Sequence, residues 1–340
     1  MIYSQRLMSR LPVKRTTTLP AVSLDEALEA ATDYAKASRS KATWRAYEAD
    51  WRAFQGWCLA VDLVPMPATP HTVALFLAAE AKRGRAPATL GRRLAAIRLM
   101  HVGARQPSPH DAIEVDEVMR GIRRRWKRPP TRKAPAVDEE IKRMVDAVEP
   151  QTLKGLRDRA LLLLGFAGAF RRSELVALDV EHLTTRDEGL SVLIVSSKTD
   201  QDGKGQVVAV PRVADSPYCP VQAVSDWLVG AEIMTGPVFR RVHRGDTVAR
   251  TRLGDQSVAL IIKGLAAKVG LDPSRYAGHS LRSGFLTSAA RNHASIFKMA
   301  DQSRHKSLDV LREYVRNEER FDDHAGEGLL QPDRTPSRAS

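Results

Sequence analysis

The sequence predicts a mainly α fold with a small β-hairpin or sheet element (α+β), divided into two domains. Three observations predict it. Apolar residues recur at helical spacing along both halves of the chain. A basic, proline-broken stretch at 129–136 separates the halves. Two short β-branched runs, Ser191–Ser197 and Val207–Val210, flank the polar loop Lys198–Gly205 in the second half.

Taken in order, residues 1–22 have no apolar period and read as a flexible tail. Ser23 and Glu26 have capping-box spacing, which predicts a helix start. Trp44, Tyr47, Trp51 and Phe54 repeat at i, i+3, i+7 and i+10, one face of a helix. Such a stripe is first of all core, although aromatics among basic residues also stack on bases. Pro65, Pro67 and Pro70 mark a loop. Helices follow near His71–Lys82, Ala88–Gly103 and Asp111–Trp126, completing an all-helical domain over 23–128. Leu90, Leu94 and Ile97 form the apolar side of the middle one, and Arg92 and Arg93 fall away from it, where they could meet phosphates. Residues 118–134 hold Arg120, Arg123, Arg124, Arg125, Lys127, Arg128, Arg132 and Lys133 without one acid. Pro129, Pro130 and Pro135 break any helix there. The second domain is expected over 137–325. It should contain a buried helix at Asp158–Phe170, the hairpin, and mostly helices from Gln256 onward. Residues 326–340 form a C-terminal tail.

The net charge of +13 is unevenly spread. Residues 1–136 carry 24 Lys and Arg against 12 Asp and Glu, and residues 137–340 carry 29 against 28. A basic domain beside a neutral one suggests that the first grips a polyanion while the second does chemistry or assembly. No apolar run approaches the roughly 20 residues a membrane helix needs, and no membrane partner is expected. Cys58 and Cys219 are far apart and lack metal-ligand spacing. Neither a disulfide framework nor a zinc site is expected, and a cytoplasmic location follows. Asp200–Gly205 begins like a calcium loop, but Lys204 and Pro211 stand where ligands are needed. Gly278–Arg282 begins like a nucleophile elbow but ends in arginine.

Three segments of the second domain carry chemistry-bearing residues: Ala169–Leu175 with Arg171 and Glu174, Gly278–Arg282 with His279 and Arg282, and His305 followed nine residues later by Tyr314. In this order they resemble the boxes of the tyrosine recombinase (phage integrase) family. That family's first box reads roughly G-L-R-I-S-E-L and its second H-x-x-R. A third conserved His or Trp falls on His305, the nucleophile on Tyr314, and a hairpin lysine on Lys198, with Lys204 close by in the same loop. Arg172 stands where the family usually has an apolar residue, and Arg304 where it commonly has glycine.

The resemblance implies a C-shaped clamp, in which a helical core-binding domain and a catalytic domain close on double-stranded DNA. It implies a site-specific recombinase that works as a homotetramer on two sites and passes through a Holliday junction, with no cofactor and no metal. Attack on a phosphodiester builds negative charge on the non-bridging oxygens, which the paired guanidiniums of Arg171 and Arg282 would stabilise. Tyrosine is a weak nucleophile at its ordinary pKa of about 10. His279 is the expected general base, Lys198 the expected acid for the leaving 5′-oxygen, and His305 the donor to a phosphate oxygen. Glu174 would orient the arginine and histidine. The segment beyond Tyr314, with Phe321, Leu329 and Leu330, would pack into a neighbouring subunit. Arg92, Arg93, Arg120, Arg123, Arg124, Arg125, Lys127 and Arg128 are the expected DNA contacts. Two rivals share these features: a type IB topoisomerase-like relaxing enzyme, and a catalytically inactive DNA-binding protein on the same fold. Each residue alone also has an ordinary explanation as a surface pair, a core imidazole or a packed ring.

Overall fold

The computed structural model describes residues 22–127, 133–195 and 205–318. The chain forms two compact units, Met1–Pro130 and Thr131–Ser340.

Among the described residues the first unit is helical, without strands. Its helices are α1 (Leu24–Ala37), α2 (Lys41–Ala60), α3 (Pro70–Lys82), α4 (Pro87–Gly103) and α5 (Ile113–Arg125). The Ser23 hydroxyl accepts from the Glu26 N–H at 3.2 Å, and the Ser23 N–H donates to the Glu26 carboxylate at 2.8 Å. This closes the capping box anticipated from the sequence. Proline opens both α3 and α4, where its missing N–H costs no helical bond. The core joins Phe54 to Val73, Phe76, Leu77, Leu90, Leu94, Ile97, Val115 and Met119. Trp51 and Phe54 pack with tilted rings 5.6 Å apart, and Phe54 meets Phe76 edge-on at 5.1 Å. The aromatic stripe therefore does packing work at these two positions, while Trp44 and Tyr47 are half-buried. Two acids, Asp50 and Glu80, are also buried here and are neutralised by arginines.

The second unit is built on α7 (Leu153–Ala167), which follows α6 (Asp138–Asp146). Ala160 to Leu164 are all buried on α7. The helix begins five residues earlier than the expected Asp158 because the Thr152 hydroxyl caps it, accepting from the Gly155 N–H at 3.0 Å. It also ends before Phe170. The chain reverses through Gly168 and Ala169 (φ 45°) into the short α8 (Arg172–Ala177). Strands β1 (Leu183–Arg186), β2 (Gly189–Ile194) and β3 (Gln206–Pro211) form an antiparallel sheet in that order. Leu190 pairs with Val210 and Ile194 with Gln206. The expected hairpin is present, but its first strand ends at Ile194 rather than Ser197, and β1 was not anticipated. Next come α9 (Pro220–Gly230), which packs on α7, and a second hairpin, β4 (Arg240–Val242) with β5 (Val248–Arg252). The unit continues through α10 (Asp255–Lys268), α11 (Ser280–Arg291), α12 (Ile296–Ser303) and α13 (Asp309–Glu318).

Helix α11 joins two apolar clusters. Leu281 belongs to the main core around α7, whereas Leu286 and Ala290 pack with Met299 and Leu311 of the last two helices. The entry segment of the unit lies directly on α11, with the Ala136 N–H donating to the Ser280 carbonyl at 2.9 Å. The approach is so close that a Cβ on Gly284 would sit 1.8 Å from the Ala136 carbonyl oxygen. Among the described residues no helix is long and apolar enough to cross a membrane.

Two glycine substitutions test this packing. Gly284→Ala should destabilise the second unit by at least about 2–3 kcal/mol, because backbone would have to move. Gly121→Ala, on open helical surface, should stabilise the first unit by up to ~1 kcal/mol. Denaturant midpoints for each unit read both effects.

Candidate active site

The turn after α7 is the foundation of the site. It positions Arg171 as the N-cap of α8, where the Arg171 N–H donates to Glu174 Oε2 at 2.9 Å. The Arg171 guanidinium returns to Glu174 Oε1 at 2.5 Å. Glu174 is 2% exposed, so it can remain ionised only because cations meet it. Desolvation pushes its pKa up, but Arg304 and Arg171 outweigh that and hold it below the ordinary carboxylate value.

Arg282 reaches the same turn from α11. It is 1% exposed, and one guanidinium nitrogen donates to the Ala169 carbonyl at 2.7 Å. The other terminal nitrogen faces the His305 ring at 3.3–3.4 Å. His305 Nδ1 also lies 2.7 Å from the Ser303 hydroxyl. His279 stands at the start of α11, open to solvent as a residue but partly desolvated where it meets Arg282 and Arg171. Tyr314 projects from α13 and packs its ring against the α11–α12 cluster. It is near enough to Arg282 that a phenolate there would favour the charged guanidinium. Arg171, Glu174, His279, Arg282, His305 and Tyr314 thus gather within one unit and one electrostatic neighbourhood.

Arg304 was not foreseen as part of this site. Its backbone is left-handed (φ 58°, ψ 43°), a conformation that costs a non-glycine residue about 1–2 kcal/mol. Its guanidinium donates to Glu174 Oε2 at 2.7 Å, to the carbonyls of Gly168 and Ala169 at 3.1 and 3.2 Å, and to Gln302 at 2.8 Å. It also lies over the Phe170 ring at 5.2 Å. With Arg304 in this place, Glu174 orients two arginines rather than the arginine and histidine expected, and among the described residues it bonds no imidazole. The sequence placed the second Glu174 oxygen against a histidine, and nothing local in it pointed to Arg304, 130 residues away.

The pocket holds excess positive charge. Burial, followed by Arg171 and Arg304, pushes Arg282 down to about 9, so it is still charged at neutral pH. Loss of surrounding water, then Arg282 and Arg171, lowers His279. The same causes in the same order push His305 down to about 4. His305 is therefore neutral at pH 7, with one N–H to donate and one nitrogen to accept, and the lowering of His279 favours the same neutral form there.

Lys198, Lys204 and Arg128 lie outside the described residues. Arg92 is half exposed but bound through two nitrogens to Asp50 at 2.7 and 3.1 Å. Arg93 departs from expectation. Its side chain is only 11% exposed and is directed at Glu80 at 2.5 Å, because two buried acids require internal cations. Arg120 is exposed beside Asp116 at 3.0 Å, and Arg123, Arg124, Arg125 and Lys127 are exposed at the end of the first unit's described residues.

The lowered histidines predict an acid-labile fold. Below pH 6.5 the unfolded chain takes up protons that native His305 refuses until about pH 4. Stability should therefore fall as pH drops through that window. Thermal melts from pH 7 to pH 4.5 should show the loss, and His305→Asn should flatten it.

The phage integrase family model matches residues 137–320, the stretch that contains every described member of the pocket. An integrase/recombinase XerD homolog from Selenomonas ruminantium is 38% identical over 291 residues, covering 85% of each chain. The Cre recombinase of Escherichia phage P1 is 23% identical over 303 residues, 82% of this chain and 84% of that one. In fold, the chain is similar to a Tn1549 transposon integrase solved in complex with transposon right-end DNA. The TM-score is 0.56 at 11% identity, over 84% of this chain and 92% of the other. A family match that spans the arginine–histidine–tyrosine pocket, together with a relative alike along most of both chains, gives one conclusion: the protein belongs to the phage integrase family.

Proposed function

We infer that this enzyme cuts and rejoins DNA at specific sites, with Tyr314 as the nucleophile. The observation that carries the reading is the convergence of Arg282, His305 and Tyr314 beside Arg171 in a pocket short of negative charge. A phosphodiester supplies the missing anion. The Tyr314 oxygen attacks phosphorus, forming a 3′-phosphotyrosine bond as the bond to the 5′-oxygen breaks. His279 takes the phenol proton, and Lys198 or Lys204 protonates the departing 5′-oxygen. Arg171 and Arg282 stabilise the charge on the non-bridging oxygens, and His305 donates its N–H to one of them. The new ester retains the free energy of the old one. A 5′-hydroxyl from a second duplex can therefore reverse the step without nucleotide hydrolysis.

Two rounds of this exchange, on a homotetramer holding two sites, would pass through a Holliday junction. The exposed Arg120, Arg123, Arg124, Arg125 and Lys127, with Arg92 and Arg128, would grip the backbone of the duplex in the cytoplasm. Arg93 serves the interior instead. The segment with Phe321, Leu329 and Leu330 would join one subunit to the next.

A nicked suicide substrate tests the reading. The parent protein should form a covalent protein–DNA adduct, and Tyr314→Phe should form none. Arg171→Ala and Arg282→Ala should cut the rate by roughly 100-fold or more while retaining much of the DNA affinity. Absence of an adduct in the parent would refute the reading. Relaxation of plasmid lacking any target site would favour the topoisomerase-like alternative.

A further inference from the structure

We propose that Arg304 is a positioning residue for DNA cleavage: it shares Glu174 with Arg171 and locks the His305–Tyr314 segment to the turn that seats Arg282. The proposal rests on the phosphotyrosine reading above and adds a residue to it.

The first support is access. Both terminal nitrogens of Arg304 are committed to internal acceptors, one to the Gly168 and Gln302 carbonyls and the other to Ala169 and Glu174, which leaves neither to grip the substrate, whereas Arg171 has a side chain 20% exposed. The second is charge. Glu174 is the one carboxylate in direct contact with the described site arginines, and its two oxygens divide between Arg171 and Arg304. Remove Arg304, and the whole buried negative charge falls to Arg171. That guanidinium would then be drawn inward, away from the phosphate it should meet. With Arg304 present, three guanidiniums and one carboxylate leave two positive charges in the cluster. That balance suits a phosphorane bearing about two negative charges better than a single excess charge would.

The third support is shared anchorage. The Ala169 carbonyl accepts from Arg282 at 2.7 Å and from Arg304 at 3.2 Å. Arg304 comes from the residue directly before His305, and Arg282 from α11. One carbonyl oxygen therefore registers the tyrosine-bearing segment against the arginine that holds the scissile phosphate. Gly168 and Gln302 add two more bonds to the same guanidinium. A fork of donors is needed, which an ammonium does not provide.

Three variants test this: Arg304→Gly, which suits the left-handed backbone but deletes the guanidinium, Arg304→Lys, which keeps the charge, and Arg304→Gly combined with Glu174→Gln. Duplex affinity and the single-turnover rate of adduct formation are measured separately on the suicide substrate. Arg304→Gly should bind DNA within about threefold of the parent and form adduct about 100-fold more slowly. Arg304→Lys should recover only part of that rate. Glu174→Gln added to Arg304→Gly should restore about tenfold, because a neutral amide no longer captures Arg171. A residue that merely supports folding would give no such recovery.

Parental adduct rates in Arg304→Gly would overturn the proposal, as would a slow variant that Glu174→Gln makes no faster. If Arg304→Gly fails to fold, Arg304→Lys decides: slow cleavage with intact affinity supports the role, and a parental rate refutes it. Should the parent itself form no adduct, the functional reading fails rather than this assignment.

Discussion

Three guanidiniums and two imidazoles crowd around a single carboxylate, and the architecture of the second unit is arranged to tolerate that excess. Like charges in a partly desolvated space repel strongly, and water normally relieves the repulsion. Here Arg282 and Arg304 have little water. Relief comes from carbonyl oxygens at the end of α7 and from Glu174. A turn with one residue at positive φ is thus the electrostatic sink of the site. Its carbonyls are available because α7 stops at Ala167 and Ala169 reverses the chain. Had the helix continued, the same oxygens would be committed to the helical ladder.

Helix α11 transmits this arrangement to the rest of the unit. Its Leu281 is fixed in the main core and its Leu286 in the C-terminal cluster, with Arg282 held between them. The close seating of Ala136 on Gly284 pins the helix from outside. Tyr314 is packed through α13 onto the other end of α11. Tyr314 and Arg282 are therefore spaced by packed helices rather than by loops. Such spacing is what in-line attack demands, since small displacements of reacting atoms are costly. An incoming phosphate supplies the anion that the pocket lacks. It should raise both histidines toward their ordinary values, and so substrate completes the electrostatics of the site as well as its chemistry.

The residues that gather in the second unit were legible in the sequence because they sit in short-range motifs. Arg171 with Glu174 and His279 with Arg282 each lie on one local element, and His305 shortly precedes the helix that carries Tyr314, so their order and spacing carried the resemblance to the family's boxes. Helices with strong caps or stripes were equally visible, as at Ser23 and along Trp51–Phe54. What escaped depends on distant partners. Strands β4 and β5 have few apolar residues and exist through mutual pairing, and β1 through its register with β2. Arg93 looked like a surface arginine because a helical wheel places it off the apolar stripe. Buried Glu80, thirteen residues earlier, brings it inside. Arg304 was seen as a departure from a glycine, when its own side chain balances the backbone strain through four acceptors on two segments.

On the proposed function, an exposed and a buried arginine population would let binding and chemistry respond to different variables. Arg123, Arg124 and Arg125 are exposed, so their pull on a phosphate backbone is screened over a Debye length of about 8 Å at physiological salt. Arg282 and Arg304 work inside the protein, where mobile ions hardly penetrate and the effective dielectric is low. Salt should therefore weaken the field of the exposed arginines more than the interactions among the buried ones. An enzyme that must release its product duplexes after rejoining them gains from that separation. Water and ions can compete for the exposed charges, while Arg282 and Arg304 are fixed by internal neighbours that salt does not displace.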